Sequence, residues 1–204
     1  MTPAKPPRKL SREARREQLI EATIEVLAIK GYARATMSDV ANQAGLSHGL
    51  VNFHFQSKEL LLAETLTYLA EEYVQNWQNA LAAAAPEPAA QLDALIRADF
   101  TPELCTPQRL AAWCAFWGEA QSRPLYQEKC GSNNAEYVTK LEGLCAALLG
   151  PSGNAERVAR AIRVASEGLW MDLVTQAEPY SVHEALETLL ACAAAFFPKV
   201  FVRP

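Results

Sequence analysis

The sequence predicts an all-α protein of about nine helices, with a small head followed by a larger body. Three observations carry that reading. Apolar residues recur every three or four positions over nearly the whole chain, and no run alternates as a half-buried strand would. Prolines and turn-forming glycines fall between those periodic stretches. The 204 residues are 50% hydrophobic and 21% charged, which is too apolar for disorder and enough to bury a core.

Each element follows from local signals. Residues 1–10 hold Pro3, Pro6 and Pro7 and are expected to form a basic, mobile arm. Ser11 is placed to cap a first helix whose stripe is Leu19, Ile20, Thr23, Ile24 and Leu27, and Gly31 ends it. A short helix over Ser38–Ala44 is broken by Gly45. Ser47 caps another, reaching His54, and Ser57 caps a long one reaching Ala85. Leu62, Leu66, Leu69, Tyr73, Trp77 and Leu81 stripe the long helix, whose length suits a strut between head and body. Pro86 and Pro88 then break the chain. Further helices are expected over 89–99, 107–121, 124–149, 154–177 and 182–197. The expected division is an arm (1–10), a helix-turn-helix head (11–56) and a body (57–204).

Charge separates head from body. Residues 1–58 hold nine Lys/Arg against five Asp/Glu, a balance of +4, and residues 59–204 hold ten against eighteen, a balance of −8. Either the head alone meets a polyanion, or the basic end is a solvated tail.

The segment from Thr36 to Lys58 is the most informative. Val40, Ala41 and Ala44 on its first element can face Leu46, Leu50, Val51 and Phe55 across the Gly45 turn, as a helix-turn-helix requires. The second helix then exposes Ser47, His48, Gly49, Asn52 and Phe53, and polar side chains at its N-terminal end are what a major-groove reader presents to bases. Thr36, Ser47, Lys58 and the arm are expected on phosphates, His48, Gly49 and Asn52 on bases, and Phe53 and His54 complete the candidate DNA-binding set. The alternative is an ordinary helical hairpin capped by serine.

These residues resemble the TetR family of one-component transcriptional regulators. The match runs through Arg16–Thr23, Gly31-Tyr32, Ala35-Thr36-Met37, Val40-Ala41, Ala44-Gly45-Leu46-Ser47, Gly49, His54-Phe55 and Ser57–Leu61. The family often has tyrosine where this chain has Asn52 and Phe53; Asn52 is suited to adenine instead. The resemblance implies a cytoplasmic homodimer on a pseudo-palindromic double-stranded operator, released by a small-molecule effector.

In the body, Trp113, Phe116 and Trp117 share a helix side, with Trp170, Tyr126 and Tyr137 elsewhere and Asp99, Glu119, Glu167 and Asp172 as carboxylates near in sequence. Aromatic faces plus carboxylates suit a quaternary ammonium; equally, tryptophans at helical spacing are ordinary core. The stretch Cys105–Ala120, with Pro124-Leu125-Tyr126 and Glu167–Trp170, resembles the C-terminal domain of choline-responsive repressors of betaine pathways. That implies a ligand site of Trp113, Phe116, Trp117, Tyr126 and Trp170 with Glu119, Glu167 or Asp99. The last two helices are expected to pair with their copies, through Ile162, Ala165, Leu169 and Leu173 and through Leu186, Leu189, Leu190, Ala193 and Phe197.

Other chemistry is thin. The three histidines have no nucleophile or carboxylate at a motif spacing, so no enzyme, cofactor or metal site is expected. The five cysteines leave a thiol redox sensor as the alternative regulator. No apolar run is long enough to span a bilayer, and the basic N-terminus lacks the apolar core of a secretory leader, so no membrane partner is expected.

Overall fold

The computed structural model describes residues 11–120, 124–151 and 153–201. The 1–10 arm and the Tyr126 side chain, both singled out above, lie outside them. The described residues form nine helices and no strand: α1 (Arg12–Arg34), α2 (Met37–Ala44), α3 (His48–His54), α4 (Lys58–Ala83), α5 (Pro88–Ala98), α6 (Pro107–Ala120), α7 (Pro124–Leu149), α8 (Ala155–Thr175) and α9 (Val182–Phe196).

Serine and threonine caps start the head helices. Ser11, Ser47 and Ser57 each accept the backbone N–H three residues on. Thr36 and Asp39 form a reciprocal capping box on α2, and Lys30 pairs with Asp39 at 2.6 Å. The turn between α2 and α3 passes through Gly45 at φ 66°, a left-handed conformation that L side chains resist. Gly31, at φ 71°, interrupts α1 near its end. Tyr32 beyond it is buried and meets the edge of Phe116 with ring centroids 5.8 Å apart.

Leu19, Ile24, Leu27, Val40, Val51, Phe55, Leu61 and Leu66 fill the head core. Arg16 ties the head together: its guanidinium lies 4.5 Å over Phe55, donates to the His54 carbonyl and pairs with Glu64 on α4. The core continues along α4 into the body through Leu69, Trp77, Leu92, Leu95, Ile96 and Leu141. There α4 packs on α5 and α7, α7 on α8, and α6 lies between α1 and α8.

Both of the stripes expected to meet a second copy belong partly to the protomer itself. Ile162, Leu189, Ala193 and Phe197 are buried inside it, because α9 packs on α8 and α5. The large apolar side chains that α8 and α9 leave to solvent are Val164 (52% exposed), Met171 (43%) and Phe196 (40%).

Candidate functional site

The face of the head expected to meet DNA is built by α3. His48, Gly49, Asn52 and Phe53 are all exposed, and Phe53 is 69% exposed. Val51 and Phe55 face inward, so the helix period alone sorts the two sets. His48 Nδ1 lies 3.3 Å from the Ser38 hydroxyl, which fixes the imidazole against α2. Lys58 is half-buried and donates to the Ala33 carbonyl at 3.0 Å, beside the Tyr32 ring. An ammonium has three donors, so this bond leaves others for a phosphate.

His54 does not stand with the exposed set. Its imidazole is buried, edge-on to Phe53, and burial together with Arg12, Arg16 and Arg15 holds it below the usual histidine range. The inward direction follows from its place three residues after Val51, on the core side of α3.

A cavity of about 370 Å³ opens in the body, lined from four helices and the end of α5. Trp113 and Trp117 come from α6, Trp170 from α8, Tyr73 from α4 and Tyr137 from α7. Trp117 stacks on Trp170 with centroids 6.2 Å apart and rings 16° from parallel. Trp113 lies 6.2 Å from Trp117, and Tyr73 meets Trp170 edge-on at 5.9 Å. The Trp170 indole is fixed by donating to the Asp99 carbonyl at 2.9 Å.

Asp99 is the polar centre. Its carboxylate accepts from the Ser166 hydroxyl at 2.7 Å, Tyr73 at 2.9 Å and Tyr137 at 3.1 Å. Among the described residues no cation pairs with it. Burial pushes its carboxyl up to about 6, although all three hydroxyl donors pull it down. Burial, and the Asp99 charge after it, holds both tyrosines protonated. The site is therefore a buried carboxylate held by neutral donors under an aromatic wall. Aromatic faces beside a buried carboxylate are chemistry that suits a cation.

Of the expected ligand residues, Trp113, Trp117, Trp170, Asp99 and Glu167 line this cavity, and two do not. Phe116 points from α6 to the opposite side, where Tyr32 meets it. Glu119 is half-exposed and off the lining, because it lies two residues after Trp117 on α6. Among the described residues no group of three His, Cys, Asp or Glu is placed to hold a metal.

Comparison with known proteins agrees with both halves. Residues 19–65 match the bacterial regulatory proteins of the TetR family, and residues 88–198 match the C-terminal domain of BetI-type transcriptional repressors. The HTH-type transcriptional regulator BetI of Paraburkholderia xenovorans is 30% identical over 177 residues, 87% of this chain and 90% of its own. The chain belongs to the TetR family. It is a transcriptional repressor of the BetI type. BetI of Rhizobium meliloti is 31% identical over 84% of each chain. A transcriptional regulator from Pseudomonas aeruginosa PAO1 has the same fold, with a TM-score of 0.77, 26% identity and 95% of each chain covered. A regulator from Saccharomonospora viridis, solved in complex with choline, has a TM-score of 0.75 at 19% identity, covering 87% of this chain and 94% of its own.

Sequence reading of this TetR-family chain missed Tyr73, Ser166, Arg163 and Asn134, and left Tyr137 without a role. One signal was available. Tyr73 occupies a stripe position otherwise filled by Leu and Trp, and a buried phenol needs a hydroxyl partner.

A second cluster joins the halves of this regulator. Arg109 on α6 donates to Glu72 on α4 at 2.8 and 3.0 Å, and to Glu21 on α1 at 2.8 and 3.3 Å. Tyr68 also donates to Glu21. Helix α6 thus presents Trp113 and Trp117 to the cavity and Arg109 and Phe116 to the head. Arg109→Met leaves two carboxylates facing each other. With the partners partly exposed, the expected loss is about 1–2 kcal/mol, visible as a lower Tm whose deficit shrinks in high salt. An unchanged Tm would show that the triad contributes nothing to the joint.

Cys105, Cys130 and Cys145 are buried and poorly placed for redox work. Burial pushes Cys105 up to about 12 and Cys130 and Cys145 up to about 11, which suppresses the reactive thiolate.

Proposed function

We propose that this repressor binds a two-fold operator as a homodimer and leaves it when a small organic cation fills the aromatic cavity. The observation that carries the reading is Asp99, a buried carboxylate with three hydroxyl donors and no cation among the described residues, set against Trp113, Trp117, Trp170 and Tyr73. A quaternary ammonium neither donates nor accepts an ordinary hydrogen bond. Its site needs aromatic faces and a counter-charge, and both are present. The choline complex of a protein with this fold makes choline the first cation to test.

On the DNA side, His48, Gly49, Asn52 and Phe53 are assigned to base edges, with Phe53 suited to a thymine methyl, and Thr36, Ser47, Lys58 and the arm to phosphates. His54 is withdrawn from that set, being core. The dimer face is assigned to Val164 and Met171 with Phe196, which are apolar and open to water. No described helix is long and apolar enough to cross a membrane, which fits a protein that works on DNA in the cytoplasm. The cavity is assigned to binding alone, with no catalytic step.

Calorimetry with choline and 3,3-dimethylbutanol tests the ligand half. The alcohol has carbon in place of the ammonium nitrogen and forfeits the attraction of each face, on the order of 2 kcal/mol when desolvated. Choline is expected to bind at least tenfold tighter. Equal or tighter binding of the alcohol would refute the cation reading, since an apolar pocket prefers the uncharged ligand.

A further inference from the structure

The cavity has more room than choline needs. An apolar cavity of about 150 Å³ takes one benzene. On that scale the 370 Å³ here suits a ligand of roughly fifteen non-hydrogen atoms, about twice the size of choline.

The lining contributed by α8 has its own chemistry. Arg163, Ser166, Glu167 and Trp170 follow one face of α8 at helical spacing, and all four line the cavity. Ser166 touches Asp99, and Arg163 lies one turn away, about 4.5 Å along the axis. Asn134 of α7 lines the same cavity. Arg163 is the one cationic side chain among the described lining residues. Its Nη1 donates to Glu167 at 2.6 Å, a pair one turn apart on the same helix with both side chains partly exposed. Such pairs are weakly held. Among the described residues, Nε and Nη2 have no partner, so half of the planar fork is free. A guanidinium fork binds carboxylate or phosphate through two parallel hydrogen bonds, which Glu167 does not supply.

We propose that the effector is a zwitterion, a methylated ammonium in the aromatic cage joined by a short spacer to a carboxylate or phosphate on Arg163. The anion displaces Glu167 into solvent. This rests on the cation reading of the same cavity and adds a second recognition point to it.

Calorimetry on the full-length protein with choline, γ-butyrobetaine and phosphocholine tests the idea. The last two keep the trimethylammonium group and add a carboxylate or a phosphate, so their order tells which anion is read. At least one is expected to bind tenfold or more tighter than choline. Arg163→Gln is expected to remove that advantage, so that the variant binds choline as tightly as either zwitterion, with the far-ultraviolet circular dichroism unchanged. Choline binding the wild-type protein as tightly as both zwitterions would overturn the proposal, with no variant needed. So would an advantage that survives Arg163→Gln. If choline still beats the neutral alcohol in either case, the cage stands and only the anion point falls. If none of the three ligands gives heat, both readings fall together.

Discussion

Asp99→Asn is expected to leave operator binding near wild-type strength and to remove the response to the cationic effector. The substitution keeps the shape of the side chain and its place between Tyr73, Tyr137 and Ser166, whose hydroxyls can reorient to accept from an amide. It removes the buried negative charge that a bound ammonium faces. Truncating one partner of a desolvated charge pair costs about 2–5 kcal/mol, or roughly 30-fold to several thousand-fold in Kd. The pH dependence gives an independent signature. With its carboxyl raised to about 6, Asp99 favours its neutral form in the ligand-free fold, so the stability it contributes at low pH is lost as pH rises from 3.8 through 6. A bound cation favours the ionised form and offsets that loss. Thermal stabilisation by choline should therefore be small at pH 5 and grow toward pH 7. Binding near pH 6 should release protons, seen as calorimetric heats that depend on the buffer. In Asp99→Asn both effects should vanish. A pH-independent stabilisation in the wild-type protein would remove Asp99 from the ligand site.

Val164→Glu combined with Met171→Glu is expected to give a folded monomer that no longer holds its operator. Both residues are exposed in the protomer, while Ile162, Ser166 and Trp170 on the other side of α8 are buried. The charges thus load the outer face and spare the core. Two reader helices fit a two-fold operator only when an interface holds them one DNA turn apart, about 34–36 Å. Without it the second half-site gains nothing from the first, and affinity should fall by roughly 10²- to 10⁴-fold. Sedimentation should show the monomer mass, circular dichroism an unchanged helix content, and fluorescence anisotropy the lost operator binding. Persistence of dimers would move the interface to another face. Leu189, from the stripe first expected there, is a poor probe, because glutamate at that fully buried site would unfold the protomer.

The helices were legible in the sequence because their signals are local. Ser11, Ser47 and Ser57 announce helix starts through a bond three residues long, and Gly45 announces the turn through the one conformation it alone adopts freely. The exposed face of α3 follows from its period, and so does the sharing of one helix by Trp113 and Trp117. What only the tertiary structure decided are meetings between distant elements. Asp99, Tyr73, Tyr137 and Ser166 come from the ends or faces of four helices, and no spacing relates them. Glu119 and Asp99 looked alike as carboxylates near tryptophans, yet one is half-exposed and the other buried under three hydroxyls. Phe116 reads as a third wall of the cage until α1 arrives on the other side of α6 and claims it. The same holds for Leu189 and Phe197, whose apolar stripe predicts burial without naming the partner. Periodicity fixes which residues leave water, and the packing of neighbouring helices decides against what.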